Sequence, residues 1–350
     1  MSSVQLPLTR ESVLEAHALI RSLIHCTPVF TSATLSKLAS SGDTNVNLLF
    51  KCENLQRIGA FKIRGATHAL ARLTDEELQK GVVTHSSGNH AQALALAARE
   101  ASSVRGFKIP CYVVMPRIST PSKIAATEGY GAQVVFSGST SAEREAEVRI
   151  VQEKTGAVLV PPYDHPHIVL GQGTMAVELA RQAEEELGMP LAAIIAPCGG
   201  GGMLAGVAVA CKGTGVKVFG AEPREGADDA WRGLRDGERV DSVKSLTIAD
   251  GLRTPVGLVN WGVISDKSYV SGVYTVSEEE IKLAMKLVIE RMKILIEPSS
   301  AVPVAVALYN KDFREEVWNL AQGKDVNLGI IISGGNTTID QIIQLFGVKS

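Results

Sequence analysis

Four groups of side chains stand out for the chemistry their types and spacing allow. Lys62, in "ENLQRIGAFKIRGA" (residues 53 to 66), sits near a strand end where a helical pattern begins. A lysine forms an imine with a carbonyl only if partial burial depresses its pKa enough to leave a free amine; otherwise it is a solvated surface charge. The stretch "VVTHSSGNHAQALALAARE" (82 to 100) reads as a buried strand, a tight turn holding Ser86, Ser87, Gly88 and Asn89, and an Ala-rich helix. Helix-start amides attract anions, but Ser and Asn also cap helices, so the turn offers either an anion site or plain capping. "CGGGGM" (198 to 203) separates the apolar strand "LAAIIAP" from a helical run. Four glycines let successive amides converge on one point, and strand, glycines and helix come in the order a phosphate nest requires. "ISGGN" (332 to 336) puts Ser333 at another strand end, where its hydroxyl serves a ring nitrogen or simply a turn.

Two further patterns compete or add. "GGGMLA" (200 to 205) satisfies a loose dinucleotide fingerprint, and Glu222 lies where a ribose-binding acid would follow. That reading makes the chain a nicotinamide oxidoreductase, but leaves Lys62, the serine turn and Ser333 without roles. "EPREGADD", Glu222 to Asp229, offers hard oxygen ligands for magnesium or calcium, or an ordinary solvated acidic loop.

The elements that must position these groups alternate along the chain. "NVNLLFKCE" reads as a strand, and "RESVLEAHALIRSLI" (10 to 24) as a helix capped by Thr9. Then "GVVTHS", "CYVVMP", "AQVVFS" and "AAIIAPC" each precede a helical pattern, and "GIIISGGNTTIDQIIQLFG" repeats strand, glycine turn, helix. Such alternation predicts an α/β protein with parallel sheets covered by helices and ligands at the carboxyl ends of strands. Units from about 82 to 155 are compact enough to form a small lobe, with the flanking segments in a larger one. The division expected is residues 1–80 and 162–350 against 81–161, with "PPYDHPH" (161 to 167) as the crossover and the site in the cleft.

Composition limits the partners. With 35 basic and 37 acidic residues the formal charge is -2, and no long basic run offers electrostatic attraction for nucleic acid or an anionic membrane. No stretch is apolar and long enough to span a bilayer, and "MSSVQLPLTRESVLEAHALI" lacks a signal-type pattern. Five scattered cysteines argue against a secreted disulfide framework or a zinc site. A cytoplasmic enzyme acting on a small molecule is the expectation.

Taken in order, "FKIRGA", "SSGNHAQ", "GQGT", "CGGGGMLAG", "AEP" and "SGGN" resemble, over nearly the full chain, the serine racemase and serine/threonine dehydratase family of pyridoxal-phosphate enzymes. "RMKILIEPSSAV" (291 to 302) is similar to a late helix and turn of its eukaryotic racemases. The resemblance implies the tryptophan-synthase-like fold type II, with two lobes around the cofactor. It makes Lys62 the lysine in imine linkage to pyridoxal phosphate, with Phe61 packed near the ring. Gly199, Gly200, Gly201, Gly202 and Met203 would bind the phosphate, Asn89 the ring hydroxyl, and Ser333 the pyridine nitrogen. Ser86, Asn89 and the amide of His90 would hold the substrate carboxylate, with Arg144 closing over an amino-acid substrate. Glu222, the Gly226 carbonyl and Asp228 match the family's divalent-cation site, taking Mg2+ or else Ca2+ or Mn2+. A homodimer is implied, and ATP, which some eukaryotic members bind at a dimer interface, is carried without residues assigned.

The resemblance also explains the second serine. Inversion at an α-carbon needs one proton carrier on each face; Lys62 serves one, and Ser87 occupies the opposite position, where plain threonine dehydratases typically carry alanine. Racemisation with accompanying dehydration of serine is therefore expected, with a threonine or 3-hydroxyaspartate dehydratase as the alternative. The segment "PPYDHPH" departs toward the "HPFDDP" type of threonine dehydratases, placing Tyr163 where serine racemases commonly have Asn. The serine-rich loop associated with aspartate-preferring racemases is missing from it.

Overall fold

A computed structural model describes residues 7–42, 44–321 and 325–347. In chain order its strands are β1 (Val29–Thr31), β2 (Val46–Cys52), β3 (Val82–His85), β4 (Cys111–Pro116), β5 (Gln133–Ser137), β6 (Val158–Leu159), β7 (Ala193–Pro197), β8 (Lys217–Pro223), β9 (Gly272–Val276) and β10 (Val326–Ile332). They form a six-stranded sheet in the order β1-β2-β10-β7-β8-β9 and a four-stranded sheet in the order β5-β4-β3-β6. Every pairing is parallel except the β1 edge. This is the α/β architecture that the strand–helix alternation predicts. β7 and most of β10 are buried along their length, as continuous apolar runs covered on both faces must be. β1 and β6, three and two residues long, carry too little pattern to be read from sequence. The first helix stops at Ile20, short of the expected residue 24.

In a parallel sheet the carboxyl ends share one edge, so the segments after β2, β10, β7 and β8 emerge together. The first three segments carry Lys62, Ser333 and the glycine turn, and Glu222 stands near the carboxyl end of β8 itself. Two glycine contacts fix the helix that bears Lys62 (Lys62–Ala71) against the helix Pro166–Arg181. A Cβ on Gly171 would lie 2.7 Å from the Gly65 Cα, and one on Gly65 would meet the Gln172 side chain. Only glycine lets the backbones approach this closely, which is what the "RGA" and "GQG" of the motifs do.

The helix Lys62–Ala71 also carries Arg64 into a buried charge cluster. Arg64 donates from Nε and Nη2 to the two Glu53 oxygens at 2.7 and 2.8 Å, and from Nη1 and Nη2 to Glu178 at 2.9 and 2.7 Å. Lys51 Nζ donates to Glu178 at 2.7 Å, to Gln182 at 2.8 Å and to the Thr27 carbonyl at 2.7 Å. Two cations thus face two anions with their hydrogen-bonding capacity used, the condition under which buried ions are tolerated. Burial alone would raise the Glu178 pKa, but the His17 and Arg64 hydrogen bonds and the Lys51 charge hold it well below the carboxylate range.

Candidate active site

Lys62 opens its helix, and its Nζ donates to the Pro162 carbonyl at 2.7 Å while lying 5.1 Å from the Phe61 ring centre. The residue keeps a little accessible surface, as a side chain lining a site must. Its surroundings are nonetheless dense enough that desolvation lowers its pKa from 10.5 to about 8, against the opposing pull of the Glu297 carboxylate. An appreciable fraction of free amine therefore exists near neutrality, the requirement set for a nucleophilic lysine.

The loop before Lys62 is docked on the turn after β10. Ala60 bridges Gly334, the Phe61 amide donates to the Ser333 carbonyl at 3.0 Å, and the Gly335 amide to the Gly59 carbonyl at 2.9 Å. Ile58 holds a left-handed φ of 62°, an uncommon state for a β-branched residue, with its carbonyl taken by Asn336 Nδ2 at 2.8 Å. Ser333 Oγ lies 2.9 Å from Ser300 Oγ, and Ser300 in turn donates to the Gly334 carbonyl at 2.7 Å. Since Ser300 spends its proton there, Ser333 is the donor of the pair.

Asn89, at the start of the helix Asn89–Arg105, donates to both oxygens of Glu297 at 3.1 and 3.2 Å and accepts from Asn336 at 2.8 Å. Sequence reasoning missed Glu297. It precedes the helix Pro298–Tyr309 and looks like a cap, and nothing local reveals a partner 208 residues away. Burial lifts its pKa from 4.5 to about 7, and the nearby Asp250 charge adds to this against the Asn89 hydrogen bond.

The glycine turn follows β7. The amides of Gly199, Gly200, Gly201, Gly202 and Met203 find no acceptor among the described residues. Each glycine is also sterically required. A Cβ on Gly199 would lie 2.8 Å from Leu252 Cα, on Gly200 inside the Tyr163 ring, and on Gly202 2.7 Å from the Tyr163 carbonyl. Gly201 has a φ of +86°. Five consecutive unspent amides at the head of the helix Gly202–Cys211 make a cradle for an anion.

In the serine turn, Ser86 Oγ accepts the Gly88 amide at 3.3 Å, whereas the Ser87 hydroxyl has no hydrogen-bond partner among the described residues. A Cβ on Gly88 would meet nothing, so the space above the turn is open. The turn borders Lys62: burial, then the Lys62 charge, drive the His90 pKa to about 3, keeping its ring neutral on the Val160 carbonyl at 3.1 Å. Arg144 donates to Ser141 at 3.0 Å, its Nε is buried without a partner, and its charge acts on His85 and Tyr163.

The acidic segment is arranged differently from a free ligand cluster. Glu222 is buried with its oxygens on the Ala230 and Trp231 amides at 3.0 and 2.9 Å, and burial together with Asp229 raises its pKa well above the usual range. Asp228 accepts from Arg232 at 2.9 Å, and Gly226 takes a φ of +75°. No group of three or more His, Cys, Asp or Glu side chains among the described residues is arranged to hold a metal.

Comparison with known proteins decides the family. Residues 20–320 match the model of the pyridoxal-phosphate dependent enzymes. The chain belongs to that family. Among pyridoxal-phosphate dependent enzymes it is 45% identical to a serine racemase of Dictyostelium discoideum over 97% of this chain and 98% of that one. It is 41% identical to a β-hydroxyaspartate dehydratase of Paracoccus denitrificans over 95% and 98%. The structure of maize serine racemase superposes with a TM-score of 0.85 at 39% identity, covering 96% of both chains. For a pyridoxal-phosphate dependent enzyme of fold type II, the nicotinamide reading of "GGGMLA" falls away.

Proposed function

We propose that this pyridoxal-phosphate enzyme interconverts L- and D-serine and, from the same site, dehydrates serine to pyruvate and ammonia. The observation that carries the reading is a Ser87 hydroxyl without a partner among the described residues, beside open space and in a turn whose His90 feels the charge of Lys62, itself lowered toward the free amine by burial. The serine racemase and dehydratase names of its relatives support it.

The residues present fit the cofactor. The unspent amides from Gly199 to Met203 would hold its phosphate, Phe61 would pack on its ring, Asn89 would meet the ring hydroxyl, and the Ser333 hydroxyl would turn its proton from Ser300 to the ring nitrogen. When bound, pyridoxal phosphate supplies an imine with the amino acid and an electron sink for the charge left at the α-carbon. Lys62 takes or returns the α-proton on one face, and its pKa of about 8 suits both directions near neutral pH. Ser87 exchanges the proton on the other. Ser86, Asn89 and the His90 amide at the helix start hold the substrate carboxylate, with Arg144 covering it. Departure of the β-hydroxyl as water, in place of reprotonation, leaves an enamine that water hydrolyses to pyruvate and ammonia.

Glu222, the Gly226 carbonyl and Asp228 are the proposed Mg2+ (or Ca2+ or Mn2+) ligands; a buried Glu222 pushed toward its neutral form by burial and by Asp229 is one that a cation would stabilise. Residues 81–161 are proposed as a lobe that moves over the substrate, in a cytoplasmic homodimer. Five unpaired cysteines accord with a reducing compartment. No helix among the described residues is long and apolar enough to cross a membrane.

The test is to incubate the holoenzyme with L-serine and Mg2+ and quantify D-serine and pyruvate together. Both should form, and Lys62→Ala should abolish both along with the visible absorbance of the bound cofactor. Pyruvate alone from the parent would replace racemisation by the dehydratase alternative, which Tyr163 in the crossover favours.

A further inference from the structure

The glycine turn is held from behind. Asn260, fully buried on the helix Leu258–Ile264, donates from Nδ2 to the Gly200 carbonyl at 2.6 Å and to the Tyr163 carbonyl at 3.3 Å. Both neighbours are acceptors, so they fix which way the side-chain amide faces. The Gly257 amide reaches the same Gly200 oxygen at 3.2 Å. The helix is itself tied to the crossover, because Asp164 accepts the amides of Leu258 and Val259 at 2.9 Å and of Asn260 at 3.3 Å.

The consequence lies in one peptide plane. Gly200 and Gly201 flank it without a Cβ, so few steric contacts resist its rotation. In a planar trans peptide the carbonyl and the N–H point in opposite directions. With the Gly200 oxygen turned to Asn260, the Gly201 N–H is turned away from it, as one of the unspent amides. A flipped plane would put a partially negative oxygen where that amide stands, facing any anion in the nest.

We propose that Asn260 is a positioning residue for the cofactor phosphate: its clasp on the Gly200 carbonyl selects the amide-forward state of the nest. The inference rests on the assignment of the glycine turn as the phosphate cradle. Asn260 acts through the backbone and belongs to none of the motifs.

The experiment compares two ligands that share a ring and aldehyde and differ in the phosphate. The cofactor-stripped full chain is titrated with pyridoxal phosphate and with pyridoxal, for the parent and for Asn260→Leu and Asn260→Ala, neither of which can donate. The expected result is an approximately ten-fold or greater loss of pyridoxal phosphate affinity, about 1.4 kcal/mol, with pyridoxal affinity held within about two-fold. A parent that does not prefer the phosphorylated ligand overturns the cradle assignment and the inference with it. A parent that does, with variants that keep its preference or lose both ligands equally, overturns the role of Asn260 alone.

Discussion

Glu297→Gln isolates one buried carboxyl and a pH window. Glu297 is 6% exposed, and its pKa rises on folding from 4.5 to about 7. That difference amounts to about 3 kcal/mol against the charged form. Between pH 4.5 and 7 the unfolded chain has lost this proton while the folded chain keeps it, so this group's contribution to stability falls as pH rises, reaching its full cost above about 7. Glutamine is neutral throughout and still offers an oxygen to Asn89, which now donates to both carboxylate oxygens. Weakening that contact costs about 1 kcal/mol, leaving the variant about 2 kcal/mol more stable than the parent at pH 8 and about 1 kcal/mol less stable below pH 4.5, where the parent carboxyl is neutral in both states. Urea unfolding of the cofactor-stripped chains, read as the variant-minus-parent difference, cancels every group other than Glu297 and those it touches. A difference that stays constant with pH, or a variant that loses ground as pH rises, would refute the buried-carboxyl reasoning. The same substitution removes the charge that supports protonated Lys62, whose amine should then titrate below about 8.

Glu178→Gln should cost about 3 to 5 kcal/mol, because it leaves Lys51 and Arg64 buried with a single carboxylate, and the urea midpoint should show it. Gly200→Ala would drive a methyl into the Tyr163 ring; cofactor affinity measured by absorbance titration should fall at least about ten-fold, corresponding to about 1.4 kcal/mol, and Tyr163→Ala in the same chain should restore part of it. If Glu222 and Asp228 hold a cation, Mg2+ should raise the thermal midpoint of the parent, and Glu222→Gln should abolish that rise.

The catalytic motifs are legible in the sequence because each is a short run whose residue types are set by local geometry. Gly199–Gly202 declare a turn that no larger side chain fits; the strand-to-turn patterns of β7 and β10 place their segments at one edge of the six-stranded sheet, and that of β3 places the serine turn at the carboxyl end of a strand in the four-stranded sheet. Gly65 and Gly171 sit inside the motifs, but their meaning, a backbone-to-backbone helix contact, appears only in three dimensions. Glu297 and Asn260 escape because each acts on a residue far along the chain: Glu297 on Asn89 at 208 residues, Asn260 on Gly200 at 60. A glutamate before Pro298 and an asparagine in a helix look locally like a cap and a surface polar residue. The cluster of Lys51, Glu53, Arg64 and Glu178 is equally silent, since charged residues in strands and helices are expected at the surface and these are buried.

The most direct measurement is the ratio of D-serine to pyruvate formed from L-serine by the parent holoenzyme and by Ser87→Ala. With Lys62 and Ser87 as proton carriers on opposite faces, the variant should lose D-serine formation while pyruvate persists, since dehydration needs only the Lys62 face. Unchanged D-serine formation in Ser87→Ala would contradict the two-faced site, whatever happens to pyruvate.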